Sequence, residues 1–357
     1  MDTSSAPLRG FHRLRVARVD PLTDDSAALT FEVPDELREH FAFSPGQSLT
    51  VRRAEAGVDE RRSYSICSPV GDPPRIGVRE VAGGAVSGWL VRDVAAGDVL
   101  EVQTPAGSFT PDLAVPGEHV LLAAGSGITP VLSIAASLLA AHAETVVTLI
   151  YGNRRIDTVM FADEIADLKD SFPARLRVFH VLSREPHEVE LFCGRLDAAK
   201  LRDLLPVAVD VDWADHWWLC GPFGMVKDAI GVLLELGVGP ERIHRELFFV
   251  GEQPNEVHHA DPPVGAGASV AVTMDGRQST TVVPAGTTVL DGLQRVRPEL
   301  PFACKGGVCG TCRARVTDGE LRMRRNFALE PHEIDAGYVL TCQSDVISET
   351  ATVDYDA

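Results

Sequence analysis

Four cysteines near the C-terminus carry the most specific chemistry in this chain. Cys304, Cys309, Cys312 and Cys342 read C-x4-C-x2-C-x29-C. This is the plant-type spacing with which four thiolates hold a [2Fe–2S] cluster. Such a loop must fold over inorganic sulfide and turn its N–H groups inward. Gly306, Gly307 and Gly310 are expected to supply the backbone freedom. The fourth ligand is expected from a distant strand. Disulfides would need an oxidising compartment, and zinc sites more often show two C-x2-C-like pairs. The spacing therefore points to electron transfer. Cys67, Cys193 and Cys220 remain over.

Two further constellations lie upstream. Arg62-Ser63-Tyr64-Ser65 is an R-x-Y-S within a strand-like run. An Arg can pair with a pyrophosphate, a Tyr can stack on an isoalloxazine face, and a Ser hydroxyl can reach a flavin ring atom. Further on, the stretch from Val78 through Arg79 to Val81 reads as extended backbone. Gly84 and Ser87 stand at an expected helix start, where free N–H groups favour a phosphate. Then Gly125-Ser126-Gly127-Ile128-Thr129-Pro130 follows an apolar strand and opens a helix, the context a phosphate-binding turn requires. Thr129 is expected to cap that helix, with Pro130 in its first turn. Cys220-Gly221-Pro222 ends a later strand before Phe223-Gly224-Met225 enters a helix. The Cys220 thiol there is a candidate to pack against a nicotinamide, or a small buried hydrophobe.

The elements that must position these residues fall into three grammars. Residues 8–112 hold six short, partly alternating runs punctuated by Gly, Pro and Asp, which predicts a small antiparallel barrel. Residues 113–250 alternate apolar strands (HVLLAAG, TVVTLIYG, LRVFHVLS, HWWLCGP) with helical stretches. That predicts an α/β unit on a four-stranded parallel sheet, with its ligand at the carboxyl ends of the strands. Residues 251–268 read as a linker, in which His258 and His259 are expected to be solvated. From Ser269 to Ala357 a hairpin and a helix, TVLDGLQRV, precede the cysteine loop.

Composition bounds the rest. The chain has 357 residues and a net charge of −18, which argues against nucleic acid. Residues 269–357 carry 9 Lys+Arg against 12 Asp+Glu, so their net is −3 and the remainder carries −15. Arg322, Arg324 and Arg325 form a basic run, read as a solvated loop or as an edge for a partner protein. No apolar run is long enough to span a bilayer, and the N-terminus lacks a signal-type stretch. A soluble, cytoplasmic protein without a membrane partner is expected.

Together these segments resemble ferredoxin–NADP reductase-like oxidoreductases that carry a C-terminal plant-type ferredoxin domain. The resemblance covers nearly the whole chain. It rests on FSPGQ (43–47), RSYSIC (62–67), AAGSGITPVL (123–132), LIYGNR (149–154), CKGGVC (304–309) and NFALEPHEIDAGYVLTCQ (326–343). It implies an FAD barrel, an NAD(P) domain and an α+β, ferredoxin-like β-grasp domain. It also implies that Arg62, Tyr64 and Ser65 contact FAD, with Val78, Arg79, Val81, Gly84 and Ser87 along its ribityl and pyrophosphate part. Gly125, Gly127, Thr129, Pro130, Cys220, Gly221, Pro222 and Met225 would line the nicotinamide nucleotide site. Glu246 and Phe248 match the family's E-x-F stretch, with Phe248 near the flavin, so that Tyr64, Ser65, Cys220 and Phe248 surround the reacting atoms. Asn153-Arg154 and Ser183-Arg184 fall where a 2′-phosphate could sit, which favours NADPH over NADH. The implied acceptor is a di-iron oxygenase. A reductase for a steroid or aromatic-ring hydroxylase, and a redox-sensing module without turnover, are the alternatives.

Overall fold

The computed structural model describes residues 10–55, 58–248 and 267–357. The first unit comprises β1 (Phe11–Thr23), β2 (Ser26–Glu32), β3 (Ser48–Glu55), β4 (Val58–Ser65), β5 (Arg75–Arg79), helix α1 (Ala85–Arg92) and β6 (Val99–Gln103). All its strand pairs are antiparallel, in the order β4-β3-β6-β1-β2-β5. An Ile66–Ile76 bridge joins the end of β4 to β5 and closes the barrel. Period-2 patterning explains the closure. Leu14 and Val16, Leu29 and Phe31, and Leu49 and Val51 alternate inward and are fully buried. All six expected strands are present.

The second unit comprises β7 (Glu118–Ala124), α2 (Ile128–Ala141), β8 (Val146–Asn153), α3 (Ala162–Ser171), β9 (Leu176–Leu182), α4 (Ala198–Ala208), β10 (His216–Gly221), α5 (Phe223–Glu235) and β11 (Ile243–Leu247). The sheet is parallel, in the order β11-β10-β7-β8-β9. It has five strands where four were expected. Strand β11, IHREL, escapes an apolar-run reading because it is an edge strand buried only at its two ends. The strand order reverses between β7 and β10, so the turns after these two strands diverge and leave a crevice between them.

The third unit comprises β12 (Ala268–Met274), β13 (Arg277–Val283), α6 (Val289–Leu293), β14 (Arg313–Met323), α7 (Pro331–Asp335), β15 (Tyr338–Leu340) and β16 (Ser344–Asp354). Its mixed sheet runs β13-β12-β16-β14-β15, with β12 and β16 parallel. Helix α6 is capped by Thr288, whose hydroxyl accepts from the Asp291 amide at 3.2 Å. Ala268 already belongs to β12, one residue before the expected boundary. His258 and His259, and most of the expected linker, lie outside the described residues. Only the start of the basic run is strand: Arg322 lies in β14, while Arg324 and Arg325 follow its end, and Arg324 grips Asp345 at 2.6 Å and the Gly286 carbonyl at 3.0 Å.

The three units pack together. Val308 and Phe327 of the third join an apolar cluster of the second, and Phe327 meets Phe223 edge-on at 5.8 Å. His244 on β11 faces Glu330 at 3.5 Å. The Arg61 guanidinium of the barrel lies 4.2 Å over the Phe302 ring.

Candidate functional site

Strand β4 delivers Arg62, Tyr64 and Ser65 to the barrel mouth. Arg62 is exposed, and its guanidinium donates to the Arg61 carbonyl at 2.8 Å. Tyr64 packs against the barrel core, and burial pushes its phenol well above the ordinary value. Ser65 is buried, and its hydroxyl donates to Glu246 Oε2 at 2.9 Å. Glu246 is the register neighbour of Cys220 across the β10–β11 pair. Burial pushes the Glu246 carboxyl up to about 7, against the opposing pull of the Ser65 hydrogen bond. Burial first, and then the Glu246 charge, drive the Cys220 thiol far up, so it is neutral. Tertiary structure thus brings Ser65, Cys220 and Glu246 together from two domains. Phe248 packs on the core cluster that contains Cys220 and Trp218.

The expected pyrophosphate stretch is built differently from its side chains. Val78 is fully buried in the barrel core, so only its main chain is on offer. The Arg79 guanidinium is committed to Asp25 at 3.2 Å and to the Thr158 carbonyl of the second unit at 2.7 Å. The Val81 amide donates to the Ser87 hydroxyl at 3.0 Å, which ties the loop onto α1. Gly84 is the residue before that helix, as expected. The aromatic Tyr64, the exposed Arg62 and the N-terminus of α1 together fit an FAD.

At the sheet reversal, Gly125 has φ 55° in the left-handed region, and its carbonyl accepts from the Tyr151 hydroxyl at 2.9 Å. A Cβ on Gly127 would stand 2.2 Å from the Cys220 carbonyl, and one on Gly221 would stand 2.9 Å from Met225 Cε. This is a cradle that side chains would fill, and it fits a nicotinamide nucleotide. Thr129 does not cap α2. The helix begins at Ile128 with Gly127 before it, and the Thr129 hydroxyl donates to the Ser126 carbonyl at 3.0 Å from inside the first turn. Its methyl instead faces Gly77 of the barrel. Pro130 lies in the first turn as expected, and Pro222 stands before α5. The parallel ladder continues past β8 and β9. The Ser183 amide donates to the Asn153 carbonyl at 2.9 Å, and the Arg184 amide to the Arg154 carbonyl at 2.8 Å. Arg154 and Arg184 therefore emerge side by side, both exposed.

The four cysteines form two pairs. A hydrogen bond from Cys309, with the Gly306 and Val308 amides at 3.3 and 3.5 Å, holds Cys304 down to about 5. Cys312 likewise lowers Cys342, and the donors Cys309 and Cys312 are pushed up in turn. Two thiols per iron is the donor set a [2Fe–2S] cluster needs. Lys305, Gly307 and Gly310 take positive φ at 49°, 80° and 66°. Gly306 does not, so Lys305 occupies the left-handed position expected of it. Cys342 comes from a 3-10 turn, Thr341–Gln343, between β15 and β16 rather than from a strand. The Arg313–Leu340 pairing and the Thr341 amide on the Cys312 carbonyl at 3.2 Å bring it beside Cys312. A cavity of about 430 Å³ opens where the three units meet, and Gln47, Thr104, Glu246, Cys309 and Thr311 are among its lining residues.

Residues 13–110 match the oxidoreductase FAD-binding domain family, 121–230 the oxidoreductase NAD-binding domain family, and 272–346 the 2Fe-2S iron-sulfur cluster binding domain family. The chain is 39% identical to a component of the 1,2-phenylacetyl-CoA epoxidase of Escherichia coli K12, over 97% of this chain and 98% of that one. It is 33% identical to the ferredoxin reductase component of 3-ketosteroid-9-alpha-monooxygenase from Rhodococcus rhodochrous, over 96% of each. The fold is similar to that of phthalate dioxygenase reductase, with a TM-score of 0.58 at 23% identity, covering 97% of this chain and 98% of that one. These similarities run along nearly the whole chain, and the chain belongs to the ferredoxin–NADP reductase-like oxidoreductases with a C-terminal [2Fe–2S] domain.

Proposed function

We propose that this chain is the cytoplasmic reductase component of a phenylacetyl-CoA epoxidase, drawing on NADPH and supplying electrons to a di-iron oxygenase. The observation that carries the relay is the shared cavity, which has Glu246 on one wall and the cluster ligand Cys309 on another. FAD held at β4 and the start of α1 would supply hydride acceptance, and a [2Fe–2S] cluster held by Cys304, Cys309, Cys312 and Cys342 would supply one-electron transfer.

The chain's own residues supply position and proton control. Gly127 and Gly221 leave room for the nucleotide against the Cys220 main chain. Tyr64 offers an aromatic face, and Arg62 a cation for the pyrophosphate. Val78, Val81, Gly84 and Ser87 present main chain and a helix start to the same cofactor. Ser65 fixes Glu246 Oε2, and Glu246, raised to about 7, can hold or release a proton there near neutral pH. The neutral Cys220 thiol adds no charge to this pocket. The adjacent Arg154 and Arg184, with Ser183, support a 2′-phosphate and hence NADPH.

The choice of acceptor rests on the 39% relative. The 33% steroid-hydroxylase relative supports a second reading with the same cofactors and another oxygenase. Anaerobic addition of NADPH and then NADH, followed by absorbance, tests the relay and the nucleotide. Flavin and iron–sulfur bands should bleach much faster with NADPH. Reconstitution with separate oxygenase subunits tests the acceptor. Epoxidation of phenylacetyl-CoA by this chain alone, or faster turnover of a steroid oxygenase, would refute the assignment.

A further inference from the structure

Thr311 lies in the cluster loop between Cys309 and Cys312. Its hydroxyl is 3.1 Å from the hydroxyl of Ser63, 248 residues away on β4. Ser63 sits between Arg62 and Tyr64, and its hydroxyl is also 3.2 Å from that of its cross-strand partner Thr50. Each hydroxyl has one proton to give. Thr50, Ser63 and Thr311 form one row of hydroxyls that starts on the barrel and ends in the cluster loop.

The surroundings reinforce this contact. The nearly buried Arg61 pairs with Asp59 at 3.0 Å, donates to the Leu300 carbonyl at 3.5 Å and covers Phe302. It thereby seats the segment that leads into the cluster loop. An apolar contact would dock the units equally well; a hydroxyl row instead fixes one geometry, since each bond is lost by a small displacement.

We propose that Ser63 and Thr311 form a bridge that holds the cluster loop on the flavin strand and sets the rate of internal electron transfer. They are positioning residues, and this rests on the placement of FAD and cluster argued above. In the step they govern, one electron leaves the reduced flavin, one ferric ion becomes ferrous, and no bond is made.

The test compares holoenzymes of the wild type, Ser63→Ala, Thr311→Val and Thr311→Ser by anaerobic stopped flow with NADPH and by amide hydrogen exchange. Flavin bleaching should keep its wild-type rate in all four. Cluster reduction should slow about tenfold in Ser63→Ala and in Thr311→Val, the change expected for one net hydrogen bond of about 1.4 kcal/mol. Exchange of the 305–311 amides should speed up by a similar factor. Thr311→Ser should restore rate and exchange. Wild-type cluster reduction in both Ser63→Ala and Thr311→Val would overturn the bridge. So would a Thr311→Ser protein as slow as Thr311→Val, because the methyl and not the hydroxyl would then matter. A wild-type holoenzyme in which NADPH bleached no flavin band would overturn the site reading, and the bridge with it.

Discussion

Replacing Glu246 by Gln tests the proton site at the domain junction. Burial raises this carboxyl from 4.5 to about 7, a displacement worth about 3 kcal/mol at about 1.4 kcal/mol per unit. A raised carboxyl means that the folded state holds a proton the unfolded state has released. Stability is therefore full below pH 4.5, falls as pH rises through the window from 4.5 to about 7, and is level above it. Glutamine keeps the shape and can still accept the Ser65 hydrogen bond through its amide oxygen, yet it never ionises. At about pH 5 the variant should match the wild type; above about pH 7 its local structure should be more stable by up to about 3 kcal/mol. Three packed units need not melt as one transition under a global denaturant. The better assay is amide hydrogen exchange at β11 and β4 across about pH 5 to 8. In parallel, the rate of flavin reduction by NADPH should inflect near pH 7 in the wild type and lose that inflection in the variant. Ser65→Ala removes the bond that favours the charged form, so the inflection should move upward by about one unit. An inflection that persists near 7 in Glu246→Gln, or a wild-type inflection near 4.5, would refute the reasoning.

Cys342→Ser should abolish the cluster absorbance while flavin stays bound and reducible by NADPH, as checked by the visible spectrum. Gly127→Ala must push α2 away from the Cys220 carbonyl, because the new Cβ would lie 2.2 Å from it. NADPH affinity should fall at least about tenfold, or about 1.4 kcal/mol, with FAD retained, as read by equilibrium titration. His119 is buried, its Nδ1 accepts from Trp218 Nε1 at 3.2 Å, and burial followed by His216 lowers it to about 4. Its neutral form is favoured in the folded state, so the second unit should lose up to about 3 kcal/mol as pH falls from 6.5 to about 4. Tryptophan fluorescence against pH checks this, and His119→Gln should flatten the response.

Local information in the sequence was enough for three units, their order and the presence of a [2Fe–2S] domain. Period-2 runs specify a barrel because alternate side chains must bury, and continuous apolar runs between helices specify a parallel sheet covered on both faces. The cysteine spacing is legible because metal ligation sets it directly. What eluded that reading depends on contacts between distant segments. Strand β11 has no apolar run, since an edge strand needs none. Thr129 looks like a cap from its position, but its main chain lies inside the helix and its methyl is needed against Gly77. Arg324 reads as a surface charge until Asp345 is brought opposite it. The meeting of Ser65 with Glu246, and of Ser63 with Thr311, joins residues 181 and 248 positions apart. No periodicity encodes such pairs. They arise only when separately folded units bury their faces against one another, and that packing is what raises Glu246 and brings the cluster loop to the flavin strand.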